Sequence, residues 1–338
     1  MTLAELAREL NVSIATVSNA ITGKGRMSDE KRQAILEAAI AHGYDMTKAE
    51  ERQRKKIIHI IVEDLEIDFC THIVSGICQE AAQMGIQPVI FNLNLMYYTD
   101  PLMPEEEVLG NLFRRCMRDV LPTTCGVIYV AEYPRDMTRF FSIPSLPFVF
   151  AYCYSHDYPA CVNYDDAHGA YIATQHLIAC GCKSIAMISG PINSIPMAKR
   201  LSGYQRALVD GGIEYDPLLV RVGSWLLENG YTNMKNLLCQ NRDIDAVFCQ
   251  SDHIALGAVQ AIREMERRIP EDIRIVGFDN QEFSWYVSPT LTSIVPPHRE
   301  IGIAAFRMLA TLMGKKGIPV RSVKLPCSIE KRESTRST

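Results

Sequence analysis

Several things are missing from this 338-residue chain. Its longest apolar stretches, such as Ile57–Val62 and Phe148–Tyr154, fall far short of the roughly 18 residues that span a bilayer, so no membrane partner is expected. No Cys-x-x-Cys pair occurs among its eleven cysteines, which removes the zinc-ribbon and thioredoxin-type readings. The opening residues Met1–Glu5 hold an early acid and no apolar core, so no export signal is expected. The cysteines are then expected to be free thiols in a reducing cytoplasm. Gly-x-Ser-x-Gly, His-Glu-x-x-His and Gly-x-Gly-x-x-Gly are all absent, so no catalytic motif supports an enzyme and no cofactor is expected. A large excess of one charge is lacking too: the net charge is −4, which does not suit a strongly basic nucleic-acid binder.

What is present is an ordinary globular composition, 47% hydrophobic and 22% charged, in a chain long enough for about two to three domains. The charge is uneven. Residues 1–56 hold ten Lys/Arg against eight Asp/Glu, and the remainder holds 25 against 31. A small basic head on an acidic body can still approach phosphates, because only the head has to do so.

Residues 1–46 read as successive helices. Leu3, Leu6, Ala7 and Leu10 recur at helical spacing, as do Ala34, Ile35, Ala38 and Ala39. Asn11-Val12-Ser13 makes a turn in which Ser13 can cap a helix starting at Ile14. Ser28 can cap the next helix, and Gly43 can stop it. Residues 47–56 have no apolar stripe and read as a linker. From Ile57 the pattern changes to short apolar strands at 57–62, 86–92, 125–130, 147–152, 184–189, 218–222, 244–249 and 273–278. Helices alternate with them at 70–84, 105–119, 167–180, 197–210, 230–239, 253–266 and 298–313. Such alternation implies an α/β fold with parallel sheets flanked by helices, and the length suits two lobes better than one sheet.

The segment Thr2–Ile21 has the layout of a helix-turn-helix. Ala7 allows close helix approach, Val12 and Val17 can pin the second helix, and Ile14, Ala15, Thr16, Ser18 and Asn19 project from its opposite face. Spacing alone leaves open a plain helical core with solvated faces.

Val12-Ser13-x-x-Thr16-Val17-Ser18-x-x-Ile21, followed by Ser28, Arg32, Ile35, Ala38-Ala39 and Gly43-Tyr44, resembles the DNA-binding head of the LacI/GalR repressor family. The likeness runs on through Val62-x-Asp64, Phe69, Val74-x-Gly76-Ile77 and Ile188-Ser189-Gly190-Pro191. It continues in Arg200-Leu201-x-Gly203-Tyr204, Ser251-Asp252-x-x-Ala255-Leu256-Gly257, Val276-Gly277-Phe278-Asp279-Asn280 and Pro289-x-Leu291-Thr292-Ser293-Ile294. The resemblance implies a helix-turn-helix head at 1–46, a hinge at 47–56 and a two-lobed periplasmic-binding-protein-like sensor. The first lobe is expected at 57–162 plus about 296–318, the second at 163–295 plus about 319–333, and a tail at 334–338. It implies a cytoplasmic homodimeric regulator, in all expectation a repressor, that binds a palindromic double-stranded DNA operator and a small-molecule effector, a sugar by preference. DNA contacts are implied for Thr2, Ser13, Ile14, Ala15, Thr16, Ser18, Asn19 and Arg26.

The chain departs from the family at instructive places. Asn19 stands where the family usually has Arg; its amide pairs geometrically with adenine rather than guanine. Met46-Thr47 replaces Pro-Asn. The hinge Lys48-Ala49-Glu50-Glu51-Arg52-Gln53 carries two adjacent acids and no leucine, which does not suit insertion into a minor groove.

Ligands on parallel sheets sit beyond the carboxyl ends of strands. Asp279, Ser251 and Pro191–Ser194 all follow strand candidates. By resemblance Arg200 is the leading effector contact, a guanidinium offering paired hydrogen bonds; otherwise it is a salt bridge on an exposed helix. Asp279 is an acceptor for hydroxyls, or else a turn cap. Trp225 stacks on the ligand, or else is core. Asp68 and Phe69 come from the first lobe, Ser194 and Ser251 from the second, and Ser251 lacks the donor of the family's usual Asn. His176 and Cys180 have a spacing that can hold a metal, but with no further ligand pair they read as ordinary packing, so no metal is expected. Thr22-Gly23-Lys24-Gly25 falls short of a phosphate loop. The competing reading is a cytoplasmic solute-binding protein or an α/β enzyme with an unrelated helical head.

Overall fold

A computed structural model describes residues 3–22, 27–42, 57–98, 105–140, 142–240, 243–314 and 320–336. The chain divides into two units, the first holding the N-terminal helices and the second both sheets. The expected hinge at 47–56 lies outside the described residues, as do Thr2, Arg26 and Gly43.

In the first unit, helices α1 (Leu3–Glu9), α2 (Ile14–Thr22) and α3 (Asp29–Ala41) surround a small core. Leu6, Ala7, Val17, Ala20, Ile35 and Ala39 fill it, the positions that the helical spacing picks out.

The second unit has two six-stranded sheets. The first runs in the order β11-β5-β4-β3-β1-β2, with β1 Ile57–Val62, β2 Gln87–Asn92, β3 Gly126–Val130, β4 Phe148–Ala151, β5 Cys161–Tyr164 and β11 Val323–Leu325. The second runs β12-β10-β9-β8-β6-β7, with β6 Ile185–Ser189, β7 Val220–Val222, β8 Ala246–Cys249, β9 Arg274–Phe278, β10 Thr292–Val295 and β12 Ser328–Glu330. The ladders β1·β3, β3·β4 and β4·β5 are parallel, as are β6·β8, β8·β9 and β9·β10. Strand β12 adds antiparallel, against β10. Gly126–Val130 and Phe148–Ala151 are buried at every residue, the pattern of strands covered on both faces. Helices α4 (Asp68–Gln83), α5 (Glu105–Val120) and α10 (His298–Gly314) belong to the first sheet; α6 (Asp166–Ala179), α7 (Ile195–Asp210), α8 (Leu227–Gln240) and α9 (Asp252–Glu264) belong to the second.

Two expected boundaries need correction. Residues 319–333 were expected in the second lobe, yet Val323–Leu325 pairs with Cys161–Tyr164 in the first sheet; only the strand after it crosses over. An unpaired edge beside β5 is available to this short apolar run, and the backbone bonds it gains decide its place. The described start of the expected tail at 334–338 is no loose end either. Ser334 and Thr335 are buried, with Ser334 O accepting from Ile275 N at 3.1 Å and Ser334 Oγ accepting from Thr292 N at 2.8 Å.

The chain thus crosses between sheets three times, after Tyr164, after Val295 and after Leu325. Within each lobe the helices pack at glycines. A Cβ on Gly76 of α4 would lie 2.1 Å from the Arg299 carbonyl oxygen, and one on Gly302 of α10 would lie 2.0 Å from that of Ile73. The α4–α10 contact is therefore backbone on backbone. Gly76→Ala is expected to destabilise by about 1–3 kcal/mol despite the roughly 1 kcal/mol that alanine gains in helix propensity. Urea unfolding of the two proteins checks this; equal stability would mean that the helices can part without cost.

Candidate functional site

The head presents one exposed helix face. Ser13 Oγ accepts from Thr16 N at 3.0 Å and shares a hydrogen with Thr16 Oγ1 at 2.8 Å, so the expected cap is in place at the start of α2. Asn11 adopts φ +49°, the left-handed conformation that asparagine tolerates in a tight turn. Val17 and Ala20 point into the core, which leaves Ile14, Ala15 and Asn19 exposed and Thr16 and Ser18 half-buried. A short, small-residue face of this kind is what a groove-reading helix needs.

In the second unit, Arg200 is the centre of a buried polar cluster. It is only 4% exposed, not on an exposed helix face. Its Nε donates to Asp166 Oδ1 at 2.9 Å, its Nη2 to the Tyr164 hydroxyl at 2.9 Å, and its Nη1 to the Gln250 carbonyl. The guanidinium lies 3.6 Å from the centre of the Phe278 ring and 5.7 Å from that of Trp225. Burial by itself would lower the Arg200 pKa, but Tyr164, Asp166 and Asp279 outweigh it and hold the group charged. Burial drives the Tyr164 hydroxyl well above its ordinary range, so it stays protonated.

Asp279 follows β9 and lies 3.9 Å from Arg200, with a quarter of its side chain exposed. Burial raises its pKa; Arg200 opposes that rise and Asp166 adds to it. Its backbone has φ +101° and that of Asn280 has φ +50°, a conformation that persists only where the surroundings dictate it. Those surroundings are explicit. Buried Asp252 accepts from Ser293 Oγ at 2.6 Å and from Gln281 N at 2.7 Å, and Asn280 Oδ1 accepts from Arg332 at 2.5 Å. Burial pushes the Asp252 carboxyl well above the usual range.

Trp225 is half-buried against Gly190; a Cβ there would come within 2.4 Å of the indole. Ser251 caps α9 by accepting from Ile254 N at 3.2 Å, and Ser194 caps α7 by accepting from Met197 N at 3.5 Å. Phe69 joins a ring cluster from the first lobe, 4.8 Å from Tyr152 and 5.3 Å from His298, and Tyr152 in turn shares a hydrogen with Tyr164. Asp68 is exposed at the start of α4 and is not part of the cluster. Arg200, Asp279, Trp225 and Phe69 are therefore brought together.

Tyr152, Tyr164, Asp166, Phe278 and His298 belong with them, and sequence reasoning missed them. Their common signal is position, since each lies at the end of a strand or at a crossing between sheets. Elsewhere at the strand ends of the first sheet, fully buried Glu63 accepts from Tyr129 at 2.5 Å and pairs with Arg135 at 2.6 Å. His176, of the metal-spaced pair with Cys180, shares a hydrogen with Thr335 Oγ1 at 2.8 Å. Among the described residues no group of three or more His, Cys, Asp or Glu is placed to hold a metal.

Comparison with known proteins settles the family. Residues 2–46 match the model described as bacterial regulatory proteins, lacI family, and residues 174–335 match a periplasmic binding protein-like domain. The HTH-type transcriptional repressor CytR of Escherichia coli is 30% identical, over 99% of this chain and 96% of its own. The chain belongs to the LacI family. This LacI-family protein is a DNA-binding transcriptional regulator and not an enzyme, and the reading as a solute-binding protein with an unrelated head falls with that. Catabolite control protein A of Priestia megaterium is 28% identical over 99% of both chains. A transcriptional regulator CelR–cellobiose complex superposes with a TM-score of 0.66 at 26% identity, over 99% of both chains. The lac repressor dimer bound to operator and an anti-inducer shares the fold, with a TM-score of 0.68 at 24% identity, over 100% of this chain and 99% of that one. No described helix is long and apolar enough to cross a membrane.

His298 in the ring cluster yields a pH prediction. It is buried, Nε2 has no hydrogen-bond partner among the described residues, and burial, then His72 and Arg200, push its pKa down to about 3. The unfolded state takes up the proton near its ordinary pKa of about 6.5, so stability is lost as pH falls from there toward 3. With a limiting slope of about 1.4 kcal/mol per pH unit, His298→Phe should reduce the stability lost between pH 7 and pH 5 by about 2 kcal/mol. Urea unfolding at both pH values measures it. An unchanged pH dependence in the variant would show that His298 titrates normally.

Proposed function

We propose that this LacI-family regulator is a cytoplasmic repressor that acts as a homodimer, reads a palindromic operator through paired heads, and is controlled by a small uncharged carbohydrate bound between its two sensor lobes. One such head contacts few base pairs, so pairing two of them supplies the specificity.

The observation that carries the effector reading is the division of labour between Arg200 and Asp279. Asp166, Tyr164 and the Gln250 carbonyl already hold the guanidinium, whereas the Asp279 side chain is a quarter exposed and lies 3.9 Å from a guanidinium that faces the Phe278 and Trp225 rings. A carboxylate accepts from two adjacent hydroxyls, as sugars present them, and aromatic rings cover their apolar C–H faces. Arg200, Asp166 and Asp279 together carry a formal charge of −1, which disfavours an anionic effector. The cellobiose complex of the related CelR supports a sugar of this kind. Phe69, Ser194 and Ser251 supply further walls and hydroxyls, and Asp68 is the weakest candidate, since it stands apart from the cluster. Asp279→Asn keeps the shape and loses charge. It is expected to weaken the sugar found by a thermal-shift screen by about tenfold or more, or roughly 1.4 kcal/mol, while operator affinity without sugar is unchanged. A best ligand that is a purine or an amino acid would overturn the carbohydrate assignment.

For the operator, the exposed positions Ile14, Ala15 and Asn19, with Ser13, Thr16 and Ser18, are the proposed readers, joined by Thr2 and Arg26. Asn19 is the base-reading amide and favours adenine, at about 1–3 kcal/mol of discrimination per bidentate pair. Asn19→Arg should move the preference toward guanine at one symmetric pair of positions. Selection from randomised palindromes on both proteins reads this directly. Identical preferences would place residue 19 against phosphate or solvent.

A further inference from the structure

An open cavity in the second unit shares no lining residue with the Arg200 cluster. It measures about 710 Å³, within the range of about 300–1,000 Å³ that small-molecule sites occupy. Four arginines line it: Arg263 near the end of α9, Arg267 and Arg268 in the loop that follows, and Arg336 near the end of the chain. Pro270 and Pro289 supply an apolar wall.

The acids around the cavity offset three of these four charges and leave an excess of one positive charge. Asp272 accepts from Arg268 N, Nε and Nη2 at 2.8, 3.0 and 2.8 Å, so it fixes that guanidinium in place. The Glu333 carboxylate accepts from Thr290 N at 2.9 Å, and Glu271 also lines the cavity. Arg263 donates to the Ser288 carbonyl and Arg336 to that of Lys331, bonds that orient a guanidinium without neutralising it. The formal charge of the four arginines with Glu271, Asp272 and Glu333 is +1, on a chain whose net charge is −4. A positive concave spot on an acidic protein concentrates anions. A carboxylate engages one guanidinium fork, whereas a phosphate monoester brings nearly two charges and three terminal oxygens, enough for several forks at once.

We propose that this arginine-lined pocket is a second ligand site, separate from the sensor cleft, that takes the phosphate monoester of a small polar metabolite. The arginine forks hold the phosphate, while Glu271 and the proline wall face the rest of the molecule.

Titration calorimetry on the full chain at constant ionic strength tests it with three probes: inorganic phosphate, glucose 6-phosphate and glucose. Glucose 6-phosphate is expected to bind saturably and phosphate more weakly. In the double variant Arg263→Gln/Arg267→Gln the glucose 6-phosphate affinity should fall by about tenfold or more, with the circular dichroism spectrum unchanged. The control Arg206→Gln removes an exposed charge on α7 and should leave the affinity as it was. Arg336→Gln, at an exposed residue, serves if the double variant loses its fold, and should also weaken binding. Absence of saturable binding by both phosphate-bearing probes overturns the proposal, as do equal affinities in the pocket variants and the parent. An equal loss in Arg206→Gln would reduce it to general charge. A loss of affinity for a random-sequence DNA duplex in the double variant, measured without phosphate, would assign these arginines to a DNA backbone instead.

Discussion

The buried ion pair between Arg200 and Asp166 is the contact that the sensor unit is built around. Asp166 is the first residue of α6, immediately past a crossing between sheets, and Arg200 projects from α7. The same guanidinium reaches the Tyr164 hydroxyl at the end of β5 and the Gln250 carbonyl just beyond β8. One side chain therefore ties the last residue of a strand in the first sheet to two elements of the second. Removing one partner of such a pair costs about 3–5 kcal/mol, because the other charge is left buried and uncompensated. An arrangement this costly to break is a reference frame. Asp279, Phe278 and Trp225 take their positions relative to it.

A second tier of buried polar bonds holds that frame. Asp252 supports the turn after β9 through Ser293 and Gln281, and Arg332 supports it through Asn280 while its guanidinium lies 3.8 Å from the Trp285 ring centre. The left-handed backbone at Asp279 and Asn280 is imposed by these bonds, since neither residue is a glycine. Burial alone would favour a protonated Asp279. The positive charge of Arg200 opposes that rise in its pKa without reversing it.

The strands and helices were legible because buried parallel strands make unmistakable apolar runs; Ile57–Val62 and Gly126–Val130 are examples. What escaped were short strands with polar residues, Cys161–Tyr164 and Thr292–Val295, and the edge strands β11 and β12. Asn163, Thr292 and Ser293 break the apolar signal, yet Thr292 and Ser293 are buried because side-chain bonds satisfy them. The site was legible in its extremes and not in its middle. Arg200 and Asp279 stood out by motif, but burial of Arg200 depends on Asp166 and Tyr164, some 35 residues away in sequence, a relation no local pattern encodes. In the head the reverse holds. Its contacts are local, so capping by Ser13 and burial of Ala7 and Val17 follow from spacing alone.

The placement of the aromatic cluster has a mechanical consequence. Tyr164 and His298 stand at two of the three crossings between sheets, and Cys327, in the third, donates to the Asp165 carbonyl at 3.6 Å. Within each lobe, backbone-on-backbone helix contacts at glycines such as Gly76 and Gly302 leave little room for internal repacking. In two stiff lobes joined at three crossings, a hinge rotation would concentrate its backbone changes at those crossings. A ligand can bias that rotation only through contacts that differ between its two ends. Groups that reach across the joint qualify: Phe69, Tyr152 and His298 from one side, Arg200 and Asp279 from the other, with Tyr164 between them. By the same reasoning, a ligand contact confined to one lobe, as one to the capping hydroxyl of Ser194 or Ser251 would be, would add affinity without adding torque. On the effector reading proposed above, control would rest on the aromatic and ionic groups at the crossings, and discrimination among sugars on the lobe walls.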